Sequence, residues 1–172
     1  MKKHGFTLIE LLVVIVILSI LFTLGSKGLR AARQNAKKAQ ARVEIHSIET
    51  AVLSYFSKYG KLPSDEFSSD LEMDFSEAGS SADLISILTL AEGEDALNPS
   101  SIVFLDPQSN DPLEGFRDPW GAEYRIALDT DYDGFLTVEN EPDLRGKVAV
   151  AAVGYYLLNG ASDTNDLITT WQ

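Results

Sequence analysis

Three carboxylates at alternate positions, Asp129, Asp131 and Asp133, stand directly before Gly134. Ca2+ takes roughly six to eight oxygen ligands, and carboxylates converge on it where a glycine permits a sharp turn. An EF-hand loop would carry a bidentate Glu at its twelfth position. Here that position is Asn140, between Glu139 and Glu141, and the flanking segments read as strands. An acidic hairpin turn and a Ca2+ loop therefore both stay open. Glu10 is a second carboxylate of interest, the one charge in FTLIELLVVIVILSILFTL, residues 6–24. Near a bilayer interior an ionised carboxylate costs roughly 2.5–3.5 kcal/mol, so it calls for a partner. The positions three and four residues away are Phe6, Thr7, Val13 and Val14, none of them basic. The charged candidate that remains is an α-amino group at Phe6, which exists only after cleavage behind Gly5. The simpler alternative is a single-pass anchor whose Glu10 lies near the interface.

Other chemistries are excluded by composition. The chain has 172 residues and no cysteine, which removes a disulfide framework, thiol chemistry and Cys-ligated zinc. Its two histidines, His4 and His46, give no basis for a His-centred catalytic site. The net charge of −12 is unevenly spread. Residues 1–61 hold ten basic and three acidic residues, a net +7, whereas residues 62–172 hold four and 23, a net −19. Two parts with different surroundings are implied, and an acidic half of this size argues against nucleic-acid binding.

The elements that position these groups begin with the apolar run. Its 19 residues would span roughly 28 Å as a helix, close to the thickness of a bilayer's hydrocarbon core. No A-x-A cleavage pattern follows it, so a membrane-spanning helix is expected rather than a secretory signal peptide. No proline falls between Leu24 and Pro63. Apolar residues recur at Ala41, Ile45, Ile48, Val52, Tyr55 and Tyr59, one face of an amphipathic helix that Gly60, Leu62 and Pro63 bring to an end. Gly25 and Gly28 mark a stretch where that long helix is weakened. The basic run Lys27, Arg30, Arg33, Lys37, Lys38 and Arg42 reads either as a solvated face or as a pairing surface for acidic neighbours.

The residues KKHGFTLIE and the run behind them resemble the leader and start of type IV pilins and of type II secretion pseudopilins. The resemblance implies cleavage after Gly5 by a prepilin peptidase, N-methylation of Phe6, and a Glu10 that pairs with the N-terminal amine of a neighbouring subunit during assembly. It also implies a long helical stem and a periplasmic C-terminal domain. The positive charge behind the span would by itself favour a cytoplasmic domain. The leader and Glu10 are the more specific signal. Many family members carry a proline where this chain has Lys27.

The remaining residues suffice for one small core. Residues 64–81 are acidic and serine-rich and read as an exposed loop. Ala82–Leu88 opens a short helix. Ile102–Leu105, Tyr124–Leu128, Phe135–Val138 and Val148–Val153 are expected strands. The fold class is thus α+β, a long N-terminal helix packed on a small antiparallel sheet. The division is a leader at 1–5, a membrane or filament-core helix at 6–25, an amphipathic stem at 26–60 and a head at 61–172.

Asp118-Pro119-Trp120-Gly121 reads as a turn, with Trp120 packed in the core. The block DPWGAEY also resembles the signature of the major, G-type pseudopilin subfamily, and residues 152–171 resemble its C-terminal ending. That subfamily binds a structural Ca2+ in its C-terminal loop, and the matching acids are Asp163 and Asp166. Tyr155–Gly160 departs from the Gly-Asp-rich pattern there, and the segment 64–115 is longer than the usual equivalent.

The leading expectation is a non-enzymatic subunit of a periplasmic pseudopilus that helps export folded proteins. Its partners would be copies of itself, other pseudopilins, the prepilin peptidase and an inner-membrane assembly platform. The alternatives are a type IV pilin for adhesion, motility or DNA uptake, and a membrane-tethered calcium-binding module that does not polymerise.

Overall fold

The computed structural model describes residues 7–63, 81–90, 97–106, 116–138, 143–160 and 166–171, the side chains of 23–28 and 81–82 excepted. In chain order the elements are α1 (Leu8–Tyr59), α2 (Ser81–Thr89), β1 (Arg125–Leu128), β2 (Phe135–Leu136), β3 (Leu144–Arg145), β4 (Val148–Ala152), α3 (Gly154–Leu158) and β5 (Ile168–Thr169). The chain divides into two compact units, Met1–Lys37 and Lys38–Gln172.

In the first unit the backbone is helical from Leu8 onward, including the Gly25–Gly28 stretch. Thr7 precedes the first helical residue and Glu10 is the third, the Thr-x-x-Glu arrangement of a capping box. Among the described residues no helix is long and apolar enough to cross a membrane. The apolar run is described with its side chains from Leu8 to Phe22, about 22 Å of helix, and Phe6, Thr23 and Leu24 lie outside that description.

The second unit is built around the end of α1. Ala41, Ile45, Ile48, Val52 and Tyr55, the expected stripe, are all fully buried, and Tyr59 packs beside them. The helix ends at Tyr59 because Gly60 takes a φ of +70°, and the Gly60 amide donates to the Phe56 carbonyl at 2.8 Å. α2 adds Leu84, Ile85, Ile87 and Leu88 to the same core.

Three strands form an antiparallel sheet in the order β1-β4-β5, with Ile126 opposite Val150 and Ala152 opposite Ile168. Alternation sorts its side chains onto two faces. Ile126, Leu128, Val148, Val150, Ala152 and Ile168 join the core with α1 and α2. Ala127, Ala149 and Ala151 face a smaller cluster with Leu136, Val138, Val153 and Leu167. Both faces are covered, which explains why Val148–Ala152 is apolar throughout rather than at every second residue.

Two expected strands differ. Phe135–Val138 contributes only β2, which pairs with β3 in a separate two-stranded ribbon. Ile102–Leu105 is not a strand. Its Phe104 and Leu105 amides donate to the Leu88 carbonyl at the end of α2, at 2.9 and 3.1 Å. The Ile102 amide and carbonyl both bond to the buried side chain of Asn98. The apolar run therefore satisfies its backbone through a helix end and an asparagine instead of a neighbouring strand. The expected loop at 64–81 lies outside the described residues up to Ser80, and Ser81 already belongs to α2.

Candidate functional site

Glu10 sits at the start of α1 with a local partner that a search for basic residues overlooks. Its Oε2 accepts from the Thr7 amide at 2.9 Å and from the Thr7 hydroxyl at 2.7 Å, while the Glu10 amide donates to Thr7 Oγ1 at 3.3 Å. The reciprocal bonds satisfy amides that open the helix and hold the carboxylate at its N-terminus, where the helix dipole favours negative charge. The signal was present in the sequence as Thr7-x-x-Glu10. Gly5 and Phe6 lie outside the described residues. From Leu8 to Phe22 the large apolar side chains are all exposed, so this part of the helix presents hydrocarbon on every side within its own unit.

The DPWGAEY segment is a clamp within the second unit. Gly121, at φ +94°, closes a turn by donating its amide to the Asp118 carbonyl at 2.8 Å. The buried Asp118 carboxylate accepts from the amides of Trp120 (3.0 Å) and Ala122 (2.9 Å) through Oδ1, and from the Gly154 amide (2.6 Å) through Oδ2. A Cβ on Gly154 would lie 2.5 Å from both carboxylate oxygens, so this position requires glycine for the close approach. The bond ties the turn to the start of α3. Trp120 is half-buried against the main core, its ring 5.3 Å from that of Tyr155, and Lys38 Nζ lies 4.0 Å from the Tyr155 ring centroid.

Tyr124 completes the segment. Its hydroxyl donates to Oε2 of Glu44, a nearly buried carboxylate on α1 whose Oε1 accepts from Gln40 at 2.8 Å. Burial, then the bond to Glu44 and the charges of Glu44 and Asp118, holds the Tyr124 hydroxyl well above the ordinary tyrosine range. The segment therefore joins α1, the sheet and α3 through Tyr124, Trp120 and Asp118. Its chemistry is positional.

Two loops bear on the metal expectations. In the first, each of Asp129, Asp131 and Asp133 offers a carboxylate oxygen, and these lie within 4.8 Å of one another. In the second, Asp163 lies outside the described residues, and Asp166 Oδ2 accepts from Asn159 Nδ2 at 2.6 Å. The described residues thus place only one carboxylate at the C-terminal loop, and it already has a donor.

Comparison with known proteins bears on all of these positions. Residues 1–26 match the family model described as the prokaryotic N-terminal methylation motif. The type II secretion system core protein G of Dickeya chrysanthemi is 27% identical over 175 residues, covering 99% of this chain and 87% of the relative. The core protein G of Pectobacterium carotovorum subsp. carotovorum is 26% identical over 99% of this chain and 85% of its own length. That of Aeromonas hydrophila is 26% identical over 99% and 93%. No solved structure matches the chain. Along nearly its whole length the chain is similar to core G proteins of type II secretion systems.

The methylation motif and the exposed apolar helix fall in the first unit, and the DPWGAEY clamp falls in the second. Sequence reading located the residues of both. It did not find the clamp's contacts, because Asp118 and Gly154 are 36 positions apart and Tyr124 and Glu44 are 80 apart. It also did not anticipate α3 in the C-terminal loop or β5 near the end of the chain, which are only five and two residues long.

Proposed function

We propose that this chain is a structural subunit of a periplasmic pseudopilus of a type II secretion system, assembling through the start of α1 to help export folded proteins. The observation that carries the reading is the apolar surface from Leu8 to Phe22, exposed all around a helix whose first turn carries Glu10. Such a surface requires lipid or other helices around it. Before assembly lipid would cover it, with the head on the periplasmic side of the inner membrane. In the filament neighbouring copies and other pseudopilins would replace the lipid.

Maturation is part of the same proposal. A prepilin peptidase would cut after Gly5 and leave an N-methylated Phe6, and the inner-membrane assembly platform would receive the mature subunit. Glu10 would pair with the amine of an adjacent Phe6, and its capping bonds to Thr7 would hold the carboxylate toward that end of the helix. The role needs no catalytic group in this chain. Glu10→Leu tests it. The expected outcome is an intact, membrane-inserted, processed subunit with secretion reduced at least tenfold. Unchanged secretion from that variant would remove the assembly role.

A further inference from the structure

We infer that the loop Asp129–Gly134 is a Ca2+ site, built into the head at the end of β1 and separate from the C-terminal loop. Three independent features converge there. The first is the approach of three carboxylates, with an oxygen of each inside a 4.8 Å circle. Among the described residues no basic side chain pairs with any of them. Lys147, whose carbonyl accepts the Asp129 amide at 3.1 Å, places its ammonium 4.6 Å from the Phe56 ring centroid and 5.8 Å from that of Tyr132. Like charges this close raise one another's free energy unless a cation stands between them.

The second feature is Asp129 itself. It is fully buried, and its two oxygens have different surroundings. Oδ2 accepts from the Gly134 amide at 3.2 Å, whereas Oδ1 is buried with no hydrogen-bond partner among the described residues. A buried carboxylate oxygen without a donor is a strongly unfavourable arrangement. Water does not reach it, and the carboxylates of Asp131 and Asp133, one oxygen of each within 4.8 Å of an Asp129 oxygen, are acceptor-only groups. A cation relieves both defects at once. Asp118 supplies the contrast within the same head: equally buried, it takes three backbone amides and has no need of one.

The third feature is the way the loop holds its shape. The Asp133 amide donates to Asp131 Oδ1 at 3.1 Å, and the Phe135 amide donates to Asp133 Oδ1 at 2.8 Å. Gly134 takes φ +90° and Tyr132 φ +62°, and the Leu62 amide donates to the Tyr132 hydroxyl at 3.0 Å. The Tyr132 ring lies 6.3 Å from that of Phe56, tilted by 39°. The loop is thereby fastened to the end of α1 through Tyr132, and within it the Asp131 and Asp133 carboxylates accept the loop's own amides.

The donor set selects the ion. Carboxylates without a histidine or cysteine exclude the nitrogen and sulfur ligation that zinc prefers. A loop whose oxygens differ in burial suits Ca2+, which accepts variable geometry, over Mg2+, which keeps a strict octahedron and most of its waters. Three carboxylates supply up to six oxygens, and backbone carbonyls or water complete the shell. The inference does not rest on the filament reading, because every residue in it belongs to the head and the end of the stem.

The test uses the full chain in detergent after removal of metal, titrated with Ca2+ by calorimetry and with Tb3+ by luminescence excited through tyrosine, Tyr132 lying within the loop. Wild type is expected to bind Ca2+ and to gain on the order of 5–10 °C in melting temperature when Ca2+ is a hundredfold above its Kd. Asp131→Asn/Asp133→Asn, at two exposed positions, is expected to lower the loop's affinity at least a hundredfold and to abolish the Tb3+ signal while keeping the native circular dichroism. Asp163→Asn/Asp166→Asn is expected to leave both readouts in place. Absence of Ca2+ binding by wild type at millimolar concentration would overturn the inference. So would unchanged Ca2+ and Tb3+ binding by the Asp131/Asp133 variant, or loss of all binding in the Asp163/Asp166 variant.

Discussion

Two stretches of α1 carry the same kinds of side chain in opposite surroundings. From Leu11 to Leu21 the leucines, valines and isoleucines are 47–59% exposed, whereas Ile45, Ile48, Val52 and Tyr55 are 0% exposed. The second stretch spaces its apolar residues three and four apart, so one stripe meets the sheet and α2 while the other face stays polar. The first stretch is apolar on all sides, and no single partner surface could cover it. The stem's end is thus completed by its own head, whereas within its own unit the beginning has no such cover among the described residues. That division fits the filament subunit proposed above.

Substitutions in the two stretches should separate these roles. Ile48→Ala removes a fully buried side chain and is expected to destabilise the head by about 2–5 kcal/mol in chemical denaturation. Ile15→Ala is expected to change that same stability by less than about 0.5 kcal/mol. A comparable loss from both would mean that the exposed stretch supports the head, and the contrast would fail.

The clamp gives the next effect in size. Gly154→Ala sets a methyl group 2.5 Å from the Asp118 carboxylate and should cost about 1–3 kcal/mol, with β4 and the DPWG turn losing protection together in hydrogen exchange. Local loss at α3 alone would show that the Asp118–Gly154 bond does not couple the two.

The smallest effect depends on pH. An unfolded tyrosine ionises near pH 10, and Tyr124 is held above that value by burial and by Glu44. The folded state therefore keeps a proton that the unfolded chain gives up, so this contribution to stability is complete below about pH 10 and declines as pH rises further. Tyr124→Phe should lower neutral stability by about 1–2 kcal/mol by leaving Glu44 with Gln40 alone, and should flatten that alkaline decline. An alkaline decline of the same slope in the variant would assign it to other groups.

How far these arrangements were legible in the sequence depended on the range of the interactions. The stem stripe was readable residue by residue because helical periodicity is local, and all five of its members from Ala41 to Tyr55 are buried. β1 and β4 were readable from short apolar runs bounded by turns. The same rule misassigned Ile102–Leu105, because a run of that length does not say whether its amides meet a strand or a helix end. Glu10's bond to Thr7 is local and readable as a capping box, a neutral partner that charge alone does not reveal. Asp129 and Asp118 look alike in the sequence. Only the fold brings the Gly154 amide to Asp118 and leaves Asp129 Oδ1 without a donor.

In the proposed filament, successive copies of the chain cover the exposed start of α1. The absence of native cysteine allows a direct measurement. Leu12→Cys/Ile20→Cys places two thiols in the exposed run, and a short bis-maleimide is added to membranes containing the secretion machinery. A head-to-tail contact repeated from subunit to subunit forms an open filament, so a ladder of dimers, trimers and higher species is predicted, and Glu10→Leu should collapse it to monomer. Monomer alone in the parent, or a ladder that survives Glu10→Leu undiminished, would contradict the account.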